Sequence, residues 1–214
     1  MEYFDRLIGK QIRKPCGILG SLFGYLMAVD HKAVTEWTLN QLRIQENDHV
    51  LDIGCGCGMA VKMIGDIVTQ GDVVGIDYSP VMLRQAARRN RLAIKKSKTR
   101  ICHGNVSMLP FLDESFNKVC SIETFYFWPD PPKNLQEVKR VMKPGGTIAI
   151  SMDISKEGEN DSEILNKAKR LGIQIYSGVE MKSLLLSAGF VNVTYEAIPV
   201  RGKGWLCAIG NTLN

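Results

Sequence analysis

The sequence predicts a doubly wound α/β fold built on a sheet of seven strands, with a helical segment ahead of it. From about Asp48 onward, short apolar runs alternate with helical patterns, which is typical of βα units that form a parallel sheet covered by helices on both faces. Only a short loop, residues 198–204, joins the last two runs, so these strands must pair antiparallel. A chain of 214 residues suits one domain.

The elements follow in order along the chain. Strands are predicted at residues 49–53, 72–76, 100–103, 116–122, 147–152, 191–197 and 205–210. A helix over 59–68 follows the first strand, and a helix over 179–188, ending at Gly189, precedes the sixth. We expect residues 1–46 to be a helical cap or lid and residues 47–214 to be the core of the same structural domain.

Two helices carry recognisable N-terminal caps. Ser79 followed by Pro80 places an N-cap before a proline in the first turn and predicts a helix over 81–92. Asp130 followed by Pro131 repeats this arrangement after the fourth strand, and the segment 144–146, Pro-Gly-Gly, ends that helix. Both caps therefore fix where a crossover helix begins.

The positive charge of the chain is local. The formal net charge is +5, and the stretch from Arg84 to Arg100 contains eight basic residues and no acidic one. This run contains no aromatic residue, whereas a nucleic-acid-binding surface is expected to interleave aromatics with its charges. We interpret it as a solvated helix face and do not expect a nucleic-acid partner.

The cysteines favour a reducing cytoplasm and no metal site. Six cysteines follow no signal-like N-terminus, and most lie in apolar, strand-like runs. Cys55 and Cys57 are too closely spaced for a zinc knuckle, and no Cys/His pair elsewhere completes a set of four ligands. No apolar run reaches the roughly 20 residues that span a bilayer, so no membrane span is expected.

The most informative segment is VLDIGCGCG, residues 50–58, an apolar strand that leads into a glycine-rich turn. Glycines at 54, 56 and 58 let the backbone approach a ligand at the carboxyl end of the first strand, where a doubly wound sheet has its binding crevice. A dinucleotide fingerprint places its third glycine three residues after the second, and here the interval is two. A nicotinamide oxidoreductase is therefore disfavoured.

Three further segments end at the same edge of the predicted sheet. Asp77, nineteen residues beyond Gly58 in VVGIDYS, is a carboxylate that could accept both hydroxyls of a ribose, which implies an adenosine-bearing cofactor. GNVSMLPF, residues 104–111, follows the third strand, and VCSIETFYFW, residues 119–128, runs through the fourth. The fold would bring all four segments to one rim.

Together with FYFWPDPPKNLQEVKRVMKPGG, these segments resemble class I S-adenosylmethionine-dependent methyltransferases from roughly Asn47 to the C-terminus. The resemblance implies a Rossmann-like sheet whose last strand is antiparallel, and S-adenosylmethionine as cofactor. It also implies roles for eleven residues. Gly54, Cys55 and Gly56 would border the methionine part of the cofactor, with Asp52 beneath the loop; Asp77 would hold the ribose, Tyr78 and Met82 would flank the adenine, Asn105 and Val106 would meet its amino edge, and Ile122 and Glu123 would close the site.

Two positions depart from the family pattern. Members of the family commonly have aspartate at the position of Asn105. The amide oxygen of Asn105 can still accept a hydrogen bond from an adenine amino group. Glu123 stands where relatives often have a neutral residue. It could pair with the amino group of the cofactor, help deprotonate a substrate, or point into solvent.

Methyl transfer from a sulfonium needs mainly alignment with an electron-rich acceptor, so a catalytic base is not required. If one is used, Glu123 is the first candidate, with His31 or Asp153 next. Three aromatics after the fourth strand could form a wall of the acceptor site or pack against N-terminal helices, and two tyrosines could close a lid. These residues are Tyr126, Phe127 and Trp128 for the wall, and Tyr3 and Tyr25 for the lid.

The expected function is methyl transfer to an unidentified small molecule, and two alternatives stay open. Amino-modifying nucleic-acid methyltransferases have a D/N-PP-Y/F motif after the fourth strand, and Asp-Pro-Pro occurs here at 130–132, but Lys133 follows instead of an aromatic and Asp130 serves as a helix cap. A non-catalytic scaffold could keep the fold, although it would not need the loop or Asp77. The oligomeric state is not predicted.

Overall fold

The sheet has the predicted seven strands. The computed structural model describes residues 9, 13–17, 20, 30–157, 166, 168–200 and 203–214. The strands lie in the order β3-β2-β1-β4-β5-β7-β6, and β7 runs antiparallel to both neighbours while the other pairs are parallel. Their bounds are β1 His49–Ile53, β2 Asp72–Asp77, β3 Thr99–His103, β4 Phe116–Ile122, β5 Met142–Met152, β6 Val191–Val200 and β7 Lys203–Asn211.

Helices connect the strands, and the two predicted caps are confirmed. The Ser79 hydroxyl accepts the backbone N–H of Met82, and a carboxylate oxygen of Asp130 accepts that of Lys133. The described helices are α1 Lys32–Leu42, α2 Met59–Ile67, α3 Pro80–Arg89, α4 Arg91–Lys95, α5 Pro131–Val141 and α6 Gly178–Ser187, with a 3₁₀ turn at Phe125–Phe127.

The helices bury apolar faces on both sides of the sheet, as a doubly wound fold requires. On one face, α1 and α2 contribute Leu42, Val61 and Ile64 to a core that reaches β1 and β4. On the other, the core includes residues of α5 and α6 such as Leu135 and Leu185. These four helices are therefore held by their packing against the sheet.

The N-terminal helix α1 is anchored to the sheet by a polar contact within this apolar layer. The hydroxyls of Thr38 and of Ser151 in β5 are hydrogen-bonded at 2.7 Å, and both side chains are fully buried. Trp37 packs against Trp205 of β7 with ring centroids 5.9 Å apart. These contacts fix the middle of α1 against β5 and β7.

The direction of chain crossover reverses between β1 and β4. β2 and β3 lie on one side of β1, and β4, β5 and the antiparallel hairpin lie on the other. The backbone N–H groups of Gly54 and Cys55 both donate to the Ile76 carbonyl, which ties the turn after β1 to the end of β2. Loops separate at this reversal point and leave a crevice outside the strand ends.

Two predicted elements need correction. The helix predicted over 81–92 divides at Asn90, because the Asn90 amide donates to the carbonyls of Ala86 and Gly58 and ends α3 there. The fifth strand begins at Met142 instead of 147, since Met142 pairs with Phe116 before a register shift that accommodates the Pro-Gly-Gly segment. The other bounds differ by three residues or fewer.

Two surface predictions can be compared with the structure. All eight basic residues between Arg84 and Arg100 have exposed side chains, which confirms a solvated face. Within the described part of the chain, no helix combines the length and the apolar character that crossing a membrane requires.

Candidate active site

A cavity of about 410 Å³ lies at the carboxyl ends of β1, β2 and β4. Its volume falls within the range of about 300–1,000 Å³ that is usual for small-molecule sites. All eleven residues predicted to contact the cofactor line it: Asp52, Gly54, Cys55, Gly56, Asp77, Tyr78, Met82, Asn105, Val106, Ile122 and Glu123.

The glycine-rich turn forms one wall of this cavity. Gly54 has φ +75°, and a Cβ there would lie 2.5 Å from Thr124 Cγ2. Thr124 is fixed because its hydroxyl donates to the Ile53 carbonyl at 2.9 Å. Gly56 has φ +52°, but a Cβ there would meet nothing nearer than the Gly54 carbonyl oxygen at 4.0 Å. Gly54 is thus required for packing, whereas Gly56 leaves space open beside the backbone.

Asp77 is held against this turn by backbone groups. Its Oδ2 accepts the N–H of Gly56 at 2.9 Å, and its Oδ1 accepts that of Ser79 at 2.8 Å. Burial raises the pKa of Asp77, and these hydrogen bonds oppose the rise. A carboxylate offers about four lone-pair positions, so it keeps the capacity to accept a hydrogen bond from a ligand.

Asp52 lies beneath the turn and is almost completely buried. Its Oδ1 accepts a weak hydrogen bond from the Cys120 thiol, and its Oδ2 has no hydrogen-bond partner among the described residues. Burial raises the pKa of Asp52 to about 7, and the nearby Asp77 carboxylate adds to this effect. A buried carboxyl group whose pKa lies near neutral pH is therefore located below the turn.

N-terminal residues cover the side of the cavity beyond Asp77. The Tyr78 hydroxyl donates to the Arg13 carbonyl, and the Ser79 hydroxyl donates to the Pro15 carbonyl at 2.7 Å. The ammonium of Lys14 lies 5.3 Å from the centroid of the Tyr78 ring. Arg13 and Pro15 line the cavity, and sequence reasoning missed both, because no spacing pattern links them to β2.

Asn105 is also constrained by a local contact. Its side-chain oxygen accepts the N–H of Ser107 at 2.8 Å, as in an Asx turn. One lone pair of that oxygen is therefore in use, and the second remains for the adenine contact that the resemblance implies. Asn105 and Val106 both lie on the cavity wall after β3.

Glu123 is buried and does not point into solvent, since its relative exposure is 7%. The Tyr126 hydroxyl lies 3.1 Å from both Glu123 Oε2 and Asp153 Oδ1, and it accepts the N–H of Ile154. Burial, followed by the neighbouring Asp153 carboxylate, raises the pKa of Glu123 well above its usual value. Glu123 also has φ +59°, which is uncommon outside glycine and occurs mostly at constrained sites.

The predicted aromatic wall is only partly formed. Phe127 and Trp128 line the cavity, whereas Tyr126 belongs to the buried core and holds the two carboxyl groups instead. Of the other base candidates, His31 lines the cavity, and Asp153 is buried and is not among the lining residues. The proposed lid residues Tyr3 and Tyr25 lie outside the described residues.

Comparison with known proteins identifies the family. A family model described as a methyltransferase domain matches residues 51–150. The uncharacterized methyltransferase YdaC of Bacillus subtilis is 29% identical over 86% of this chain and 94% of its own length. YrhH of the same organism, also named as a methyltransferase, is 33% identical over 64% of this chain and 75% of its own. The chain is a class I S-adenosylmethionine-dependent methyltransferase.

A solved structure supports the same assignment for the fold of this methyltransferase. The methyltransferase in a complex with the Haloferax volcanii Trm112 activator superimposes with a TM-score of 0.76 at 25% identity. The match covers 89% of this chain and 94% of that one. The similarity therefore extends over nearly the whole methyltransferase.

Proposed function

We propose that this cavity binds S-adenosylmethionine and that the methyl acceptor is a small molecule. The observation that carries the proposal is the Asp77 carboxylate, which backbone N–H groups hold on the cavity wall beside the open space at Gly56. In this assignment Asp77 accepts the ribose hydroxyls. The remaining cofactor contacts are those that the family resemblance implies for the turn 54–56 and for the other residues of the cavity wall.

The buried acids of the site fit a cationic ligand. Asp52 Oδ2 and Glu123 Oε1 are buried carboxylate oxygens for which the described residues supply no hydrogen-bond donor. A buried acceptor without a donor costs free energy, so a ligand that supplies N–H groups or positive charge would be stabilised here. The amino group and the sulfonium of S-adenosylmethionine have this character.

Bound S-adenosylmethionine would supply an electrophilic methyl group: the acceptor would form a bond to the methyl carbon as the carbon–sulfur bond breaks and the sulfur leaves as a neutral thioether. The protein orients the acceptor and excludes water, and correct alignment supplies much of the rate acceleration. We assign Glu123 as the general base for an acceptor that must lose a proton. Its position supports this role, because it lies on the cavity wall and the Tyr126 hydroxyl holds its Oε2.

The residues that line opposite sides of the cavity support a small acceptor. Arg13, Pro15 and His31 line it on the N-terminal side, and Phe127 and Trp128 line it beyond β4. We therefore propose that residues 1–46 form a cap over the core of residues 47–214.

The motif that would favour a nucleic-acid substrate has a structural role here. Asp130 caps α5 and its carboxylate lies 3.1 Å from Lys133 Nζ, so the Asp-Pro-Pro segment begins a helix. This use of the motif favours a small-molecule acceptor over a nucleic-acid base that is turned out of its helix into the active site.

Asp77→Ala tests the cofactor assignment by isothermal titration with S-adenosylmethionine. Losing hydrogen bonds to a charged group should weaken binding by at least about tenfold. Asp72→Asn is the matched control, because Asp72 begins the same strand and contacts His49 and Arg100 away from the cavity. Unchanged affinity in Asp77→Ala, or an equal loss in both variants, would refute the assignment.

A further inference from the structure

Three residues from two elements meet beside the cavity, close to Glu123. Asp30 and His31 directly precede α1, and Asp153 directly follows β5. One ligand atom from each of these three side chains lies within 4.8 Å of the other two. Ligands about 2.1 Å from a metal ion lie up to about 4.2 Å apart, so this group needs little movement to surround one ion.

Glu123 adds a second observation at the same wall. Its carboxyl group is hydrogen-bonded to Asp153, and the two share the Tyr126 hydroxyl. Glu123 is more than nine-tenths buried, and its Oε1 has no partner in the described part of the chain. Carboxyl groups placed together away from water repel each other when both are ionised, and a cation bound by Asp153 would reduce this cost.

We propose that Asp30, His31 and Asp153 bind a divalent transition-metal ion beside the cavity. Two carboxylate oxygens and one imidazole nitrogen form a mixed ligand set. Such a set suits Mn²⁺ or Zn²⁺ better than a set made only of oxygens does. Tyr126 orients Asp153 in the way that outer partners commonly orient metal ligands.

The position gives the ion a function beyond the proposed cofactor binding. His31 and Glu123 line the cavity, so an ion held by His31 would contact a ligand at this end. A divalent ion there would orient an oxygen-containing acceptor and favour its deprotonated form. The binding claim does not depend on S-adenosylmethionine, since none of the three ligands belongs to the glycine turn or to β2.

The test is a titration of the chelator-treated protein with Mn²⁺, in which electron paramagnetic resonance measures the free ion. We expect one saturable site per chain, and weakening of at least about tenfold in His31→Ala and in Asp153→Asn. Asp66→Asn is the control, because Asp66 is exposed on α2 and pairs with Lys62. Its affinity should equal that of the wild-type protein.

The outcomes separate this proposal from that for the cofactor. Circular dichroism checks that each variant is folded, and His31→Ala decides the matter if the buried Asp153→Asn variant is not. No saturable Mn²⁺ binding, or equal affinity in the wild-type protein and a folded His31→Ala variant, would overturn the metal site. A separate titration with S-adenosylmethionine reports on the cofactor, so either proposal can fail while the other stands.

Discussion

The two ends of the cavity are built in different ways. At the glycine-turn end, residues 54–58 and Asp77 are fixed by backbone hydrogen bonds between neighbouring strand ends. At the Glu123 end, side chains from β4, β5 and the start of α1 meet, and the Tyr126 hydroxyl links two of them. Backbone geometry thus determines the first end, and tertiary side-chain contacts determine the second. Substitutions at the two ends should therefore have separable effects.

The largest effect on stability is expected at Gly54. An alanine there would need a positive φ, and its Cβ would lie 2.5 Å from the fixed Thr124 side chain. We expect Gly54→Ala to lower the free energy of unfolding by about 3 kcal/mol or more and to abolish S-adenosylmethionine binding. Urea denaturation and isothermal titration measure the two effects.

Gly56→Ala is the matched variant within the same turn. Its Cβ would point into open space, so only the left-handed backbone conformation costs free energy, about 1–2 kcal/mol. Equal destabilisation of the two variants would contradict the view that Gly54 is packed and Gly56 borders the binding space.

Asp52 should make stability depend on pH. Its pKa is raised by burial to about 7 in the folded protein, from an ordinary value of 3.8, so ionising it destabilises the folded state. This destabilisation begins as the pH rises above 3.8 and is complete above about 7. Relative to the wild-type protein, Asp52→Asn should therefore gain about 2–3 kcal/mol of stability between pH 5 and pH 8.

Urea denaturation at pH 5 and pH 8 tests this prediction. Asp72→Asn serves as the comparison, because it removes a carboxylate from a half-buried position at the other end of β2. If Asp52→Asn and the wild-type protein differ in stability by the same amount at both pH values, the pKa of Asp52 is not raised in the folded protein.

A smaller effect than that of Gly54→Ala is expected from Tyr126→Phe at the Glu123 end. Removing the hydroxyl leaves Glu123 Oε2, Asp153 Oδ1 and the Ile154 N–H without this partner, at a cost of about 1–3 kcal/mol. Cofactor affinity should stay unchanged, because Tyr126 does not line the cavity. Tyr195→Phe, at a side chain that is 41% exposed, should change stability by less than about 0.5 kcal/mol. A loss of cofactor affinity in Tyr126→Phe would show that the two ends are coupled.

The same contrast explains what the sequence can predict. The turn at Gly54 and the position of Asp77 depend on local backbone conformation after a strand, so a contiguous motif indicates them. Ser79 and Asp130 are also local signals, and both caps were predicted. The break at Asn90 depends on a contact with the Gly58 carbonyl, which no local pattern indicates.

The Glu123 end shows where sequence reasoning stops. Glu123, His31 and Asp153 were each candidates for a base, but nothing in their spacing indicates that Asp30, His31 and Asp153 come together. Tyr126 was predicted as a possible cavity wall, and its role as a link between two carboxyl groups follows only from how β4 and β5 align. Such groupings arise from strand order and helix packing.

The most direct test of the account is isothermal titration of the wild-type protein with S-adenosylmethionine, with NADH as the control. We predict micromolar binding of S-adenosylmethionine at one site per chain and no binding of NADH, because the glycine spacing does not suit a pyrophosphate. Binding of NADH, or no binding of S-adenosylmethionine by a folded protein, would contradict the assignment of the glycine-turn end.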